Sequence, residues 1–105
     1  MFFVSKVRHV FVWRVAQGSS QQEVVDLLNT LPGRLPYISG WNVGSHKGDP
    51  GENGSPWDGA LITDFDSWED LDRYSNDEYH LEVVAKLMPM FSDRAVVDYD
   101  FEVQG

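Results

Sequence analysis

Tyr74 and His80 are the pair through which this chain could move a proton. They lie in the run Tyr74-Ser75-Asn76-Asp77-Glu78-Tyr79-His80. In one unbroken helix, side chains at that separation point to different sides, because each residue advances by roughly 100°. Ser75-Asn76-Asp77, however, is a cluster of capping and turn residues. A helix ending near Tyr74 and another starting at Asn76 or Asp77 would free both side chains to face one apolar cavity. His80 would then sit in the first turn of its helix, where the positive end of the dipole disfavours the imidazolium. A neutral imidazole accepts a proton at neutral pH. Tyr74 would orient a carbonyl or donate a hydrogen bond to a developing enolate. His9 would add a polar contact from a strand, Phe11 and Trp13 beside it would be apolar walls, and Val84 and Leu87 would flank His80. The plainer alternative is a capping histidine and a packing tyrosine with no chemistry between them.

These residues need elements to hold them, and the apolar periodicity supplies seven. Val7 to Val15 reads as a strand, with Val7, His9, Phe11, Trp13 and Val15 on one face and Arg8, Val10, Val12 and Arg14 on the other. Ser20 and Glu23 have capping-box spacing, and Val24, Leu27, Leu28 and Leu31 make the stripe of a helix that Pro32-Gly33 should end. Ile38 to His46 is the second strand and Asp58 to Asp66 the third, joined by the turn-rich loop Lys47 to Trp57. Ser67 opens a short helix to about Tyr74. The next runs from about Asp77 to Met88, with Leu81, Val84, Ala85 and Met88 as its stripe. Arg94 to Val103 is the last strand, and its apolar face, Ala95, Val97, Tyr99, Phe101 and Val103, is expected to be the buried one.

The order β-α-β-β-α-α-β predicts an α+β, ferredoxin-like domain: a four-stranded antiparallel sheet with its helices on one face. The helices cover only one side. Val10 and Val12 on the other side need a cover, and a second copy of the chain is the simplest.

Composition narrows the function classes. The chain has 105 residues, enough for one domain with one modest core, and residues 1–105 read as a single unit. Its net charge is −9, which argues against nucleic acid and against anionic membrane surfaces as partners. There is no cysteine, so disulfides, thiolate catalysis and thiolate-bound zinc are excluded, and a reducing cytoplasm is the expected location. No signal peptide or membrane-spanning run is expected. No metal site is expected either: the three histidines form no His-Glu-x-x-His, and the loop around Asp49 lacks the ligands of a calcium loop. No glycine-rich phosphate loop occurs, and no cofactor is expected.

The chain resembles the stress-responsive A/B barrel (Dabb) domain family of the dimeric α/β-barrel superfamily. The resemblance rests on Val7-Arg8-His9-Val10-Phe11, Trp41-Asn42-Val43-Gly44, Asp58-Gly59-Ala60-Leu61 and Phe65-Asp66-Ser67. Tyr74 with His80, Leu87-Met88-Pro89 and Val96-Val97-Asp98-Tyr99 complete it. It implies a ferredoxin-like protomer whose sheet pairs with a twin's to form a barrel, and a cavity between sheet and helices. One plant member is a cyclase that closes a linear polyketide into an aromatic ring. Its catalytic Tyr and His correspond to Tyr74 and His80, and a pocket His on its first strand corresponds to His9. The family often reads Tyr-x-x-His-Pro-x-His here, whereas this chain has Asp77-Glu78-Tyr79 before His80. Two acids near the mouth would raise the pKa of His80 and repel anionic substrates.

The expectation is therefore a homodimer whose pocket takes a small apolar, aromatic or polyketide-like molecule and acts as a cofactor-free cyclase, isomerase or lyase. A non-catalytic, stress-responsive or ligand-binding dimer is the alternative from another class. A cofactor-free or haem-handling monooxygenase ranks third.

Overall fold

The computed structural model describes residues 2–104. Its elements are β1 (Phe3–Val15), α1 (Gln21–Leu28), β2 (Ile38–Ser45), β3 (Gly59–Phe65), α2 (Trp68–Asn76), α3 (Glu78–Leu87), a 3-10 turn (Met88–Met90) and β4 (Phe91–Gln104). The strands form one antiparallel sheet in the order β2-β3-β1-β4. This is the ferredoxin-like α+β arrangement that the order of the elements predicts.

The helices start where the sequence places their caps. Ser20 accepts a hydrogen bond from the Glu23 N–H at 3.3 Å, and Ser67 accepts one from the Asp70 N–H at 3.1 Å. Beyond α1, the Leu35 N–H donates to the Leu31 carbonyl, and this extra turn seats both leucines in the core. Trp13, Val24, Leu28, Leu31, Leu61 and Phe65 make the centre of that core, between the helices and one face of the sheet. Opposite Trp13 stands Gly59, and a side chain there would run into the indole ring. Glycine is the residue that lets the two backbones pair while the ring lies across them. The indole N–H donates to the Gln21 side chain at 2.8 Å, so the buried ring keeps its polar atom satisfied.

Three expectations are corrected. First, the β1–β4 ribbon is longer than the periodicity suggests. It begins at Phe3↔Gln104 and ends at Val15↔Phe91, past the end of β3 pairing at Val7↔Phe65. Second, the inner row of α3 is Val83 and Leu87, with Val84 half-buried, whereas Leu81 and Ala85 face solvent and Met88 lies exposed at the edge of a hollow. Apolar residues occupy so many positions of this helix that a shifted stripe fits the sequence almost as well. Third, the two faces of β4 are exchanged. Trp13, Phe11 and His9 lie opposite Arg94, Val96 and Asp98, so that row faces the helices. The apolar row Ala95, Val97, Tyr99, Phe101 shares the other side with Val10 and Val12. Among the described residues nothing covers that side: Val97 and Tyr99 are 54% and 41% exposed. Arg8 crosses it, bound to Asp64 through two hydrogen bonds of 2.8 and 2.9 Å and stacked on Phe101.

Candidate functional site

Asp77 makes the break between the two short helices. Its backbone is extended (φ −65°, ψ 135°), and the residue closes α2 and caps α3 at once. Its N–H donates to the Tyr74 carbonyl, its own carbonyl accepts from Leu81, and its carboxylate accepts from the Tyr79 N–H at 2.8 Å. The Tyr37 hydroxyl donates to the same carboxylate and ties it to the segment before β2. The first helix runs two residues beyond Tyr74, to Asn76, but the change of direction falls where the capping residues place it.

The consequence is that Tyr74 and His80 meet. Their rings are 4.3 Å apart, centroid to centroid. Tyr74 also packs on Phe65 at 5.1 Å and on His9 at 6.1 Å, so the three polar rings converge under the centre of the sheet. They line a partly open hollow of about 260 Å³. Phe11, Val84 and Leu87 line it as the sequence suggests, and Leu28, Leu31, Leu61, Val83 and Phe91 make the remainder of the wall apolar. Trp13 does not line it: the ring is completely buried behind Phe11, 5.9 Å away, and is core rather than wall.

Tyr74 and His80 have definite surroundings. Among the described residues no hydrogen bond ends on the Tyr74 hydroxyl, and no fully enclosed side-chain polar atom is left without a partner. The hydroxyl therefore opens onto the hollow. Burial pushes its pKa well above the ordinary tyrosine value, so it stays a neutral donor. His80 Nδ1 lies 3.3 Å from the Ser75 carbonyl. A carbonyl only accepts, so Nδ1 carries the proton of the neutral ring and Nε2 the lone pair. The pKa of His80 is lowered, chiefly by burial and also by the neighbouring charge of His9. The Ser75 carbonyl and Asp77 pull the other way without prevailing. Asp77 does raise this pKa, as expected, but the net shift is downward. Asp77 spends its carboxylate on the helix cap and Tyr37, and desolvation of the ring outweighs its charge.

The sequence gives no hint of Asp98 here. It reads as part of the wet face of β4, yet it lies opposite His9 and meets its Nδ1 at 2.5 Å. Only the strand register, which needs the sheet, brings the two together. The described residues hold no group of three His, Cys, Asp or Glu side chains that could bind a metal ion, and no helix long and apolar enough to cross a membrane. His46 stands apart at the end of β2, bonded to the Gly48 carbonyl.

No curated protein sequence matches the chain. Solved structures do. The hydroxynitrile lyase from Passiflora edulis superposes with a TM-score of 0.79 at 20% identity, over 91% of this chain and 93% of that one. A dimeric ferredoxin-like protein from Thermobifida fusca gives a TM-score of 0.76 at 23% identity, over 92% of each chain. A dimeric ferredoxin-like protein from Bacteroides fragilis gives 0.70 at 25% identity, over 91% of this chain and 96% of that one. At the level of sequence pattern, the Stress responsive A/B Barrel Domain (Dabb) matches residues 7–101. With nearly the whole chain matched, and with the fold to go with it, the protein belongs to the stress-responsive A/B barrel domain family.

Proposed function

We propose that the protein is a homodimeric, cofactor-independent catalyst of proton transfer on small aromatic or polyketide-like carbonyl compounds, of the cyclase, isomerase or lyase type. The observation that carries this reading is the contact of a neutral phenol with an uncharged imidazole, at 4.3 Å between rings, over an apolar hollow. His80 Nε2 takes a proton from the carbon next to the substrate carbonyl. Tyr74 donates a hydrogen bond to the oxygen on which negative charge develops. The proton then returns from the imidazolium to the carbon, or to a leaving group, and the ring is neutral again. His9, braced by Asp98 and 6.1 Å from Tyr74, adds a polar contact beside the carbonyl. That a lyase shares this fold supports the class of reaction without assigning any residue its role.

The dimer is part of the proposal. Val10, Val12, Val97 and Tyr99 form an apolar sheet face that the helices leave bare, and the similar structures from two bacteria are dimeric. A twin sheet laid on this face would bury it.

Acetophenone tests the chemistry, because its methyl protons exchange with D₂O only when an enolate forms. Wild-type protein should accelerate that exchange, measured by NMR. His80→Ala should lower the catalysed rate on the order of 10²-fold or more. Exchange no faster than with His80→Ala would leave a binding dimer without turnover, the reading that Tyr74's near-complete burial against Phe65 favours.

A further inference from the structure

Among the described residues, one arginine stands on the rim of the hollow. Arg94, near the start of β4, lies opposite Trp13 on the helix side of the sheet, and it lines the hollow together with Phe91, Met88 and Val96. Its guanidinium stands out among the chain's arginines. Arg8 is bound to Asp64, Arg14 to Asp93, and Arg73 to Glu69, while Arg34 covers the ring of Tyr79. Among the described residues the Arg94 side chain has no hydrogen bond and no carboxylate within 4.0 Å. Its backbone N–H donates to the Asp93 carboxylate. Scarcity of acids does not explain this, because the chain has 17 acidic residues against eight basic ones. The carboxylates nearest along the strand are already engaged, Asp93 by Arg14 and Asp98 by His9.

The position matters as much as the missing partner. Arg94 and Asp98 are four residues apart on one strand, roughly 13 Å along the backbone. Asp98 marks the His9–Tyr74 end of the hollow, and Arg94 marks the Phe91 end. Between them the wall is apolar and rich in aromatic rings: Phe11 and Phe91 are 5.6 Å apart. A guanidinium presents paired donors that match a carboxylate, and an apolar wall beside it strengthens the pairing.

The geometry points to Arg94 as the residue that binds a carboxylate on the substrate, so that the ligand is an elongated keto acid, with an apolar or aromatic body and its acid group remote from the reacting carbonyl. This rests on the pocket being a ligand site for carbonyl compounds, as proposed above. The carbonyl lies at Tyr74 and His80, the ring fills the apolar middle, and the acid reaches the rim. The expected repulsion of anions by Asp77 and Glu78 does not oppose this. Asp77 is tied up in the helix cap, and Glu78 is exposed.

The test compares 4-acetylbenzoate with its neutral counterpart 4-acetylbenzamide, which share ring and acetyl group. Binding is read by titration calorimetry against wild type, Arg94→Gln and Arg94→Lys, each checked for folding by its thermal melt. Wild type should bind the acid about tenfold more tightly than the amide, and the preference should shrink with added salt. Arg94→Gln should abolish the preference while leaving the affinity for the amide as it was, and Arg94→Lys should retain part of it. Equal affinity of wild type for acid and amide would overturn the role of Arg94 and leave the pocket standing. So would a preference that survives in Arg94→Gln. Binding of neither compound would overturn the ligand site itself, and this inference with it.

Discussion

His80 is oriented by the same helix break that sets it against Tyr74: its Nδ1 donates to the carbonyl of Ser75, the residue directly after Tyr74, at 3.3 Å. That carbonyl lies near the end of α2, where the helix leaves its last oxygens without partners. The break therefore turns the imidazole toward the phenol and settles its tautomer. Replacement of Asp77 by Ala would remove both the cap of α3 and the partner of Tyr37. We expect a stability loss of about 1 kcal/mol from the cap alone, measured by urea unfolding, together with a broadened His80 ring signal.

The pH dependence follows from the lowered pKa of His80. The ordinary value is 6.5, and burial holds the folded value beneath it. On the proposed mechanism the neutral ring is the active form, so the rate of α-proton exchange should be flat through neutrality and should fall only at a midpoint below 6.5. The stability effect has a definite sign. Between the two pKa values the unfolded chain binds the proton that the folded chain refuses. The contribution of His80 is therefore complete above pH 6.5 and is lost as pH falls through the folded pKa. Thermal melts from about pH 7 down to pH 5 should show a smaller drop for His80→Gln than for wild type.

Tyr74→Phe keeps the ring against Phe65 and removes a hydroxyl that has no protein partner. Stability should change by less than about 1 kcal/mol, since no hydrogen bond within the protein is lost. The exchange rate should fall on the order of 10²-fold, as when a donor to a developing oxyanion is removed. In wild type, one of the four tyrosines should resist alkaline titration. The folded state keeps the proton that the unfolded chain surrenders near pH 10, so this group withdraws stability as pH rises past that value.

Gly59→Ala is a purely structural change. The new methyl group would meet the fully buried Trp13 ring. The expected cost is about 1–3 kcal/mol, read from chemical denaturation, with the Trp13–Gln21 hydrogen bond lengthened or lost.

Val97→Glu addresses the bare sheet face. Val97 pairs with Val10 there and is more than half exposed in the single chain. If two sheets meet on this face, a carboxylate at its middle is buried without a partner, and the dimer should dissociate in size-exclusion and sedimentation measurements. An unchanged molecular mass would place the contact elsewhere.

How far the sequence leads depends on the range over which each signal acts. Caps and turns are local, and so Ser20, Ser67 and Asp77 mark their helix starts. The convergence of Tyr74 and His80 was legible for the same reason: the composition of three successive residues specifies the break. Face assignment on β4 is not local. Its two rows are distinguishable, but which one meets the helices depends on what covers the other. The strand presents its apolar row to the uncovered side. On α3, the pair Val83 and Val84 satisfies two stripes at once, and only packing against the sheet selects between them. The pairing of His9 with Asp98 depends on register across strands from opposite ends of the chain, which no window along the sequence contains. Trp13 shares a strand face with His9 and Phe11, but the glycine opposite it draws the ring into the core instead of the cavity.

Nitrogen-15 NMR of the three histidine rings, recorded while acetophenone is added at neutral pH, tests the site most directly. The expected result is a neutral His80 with its proton on Nδ1, whose Nε2 signal moves with ligand together with that of His9, while His46 stays fixed. A His80 that is charged at neutral pH, or whose signals ignore the ligand while the ligand binds, would contradict a shared phenol–imidazole site.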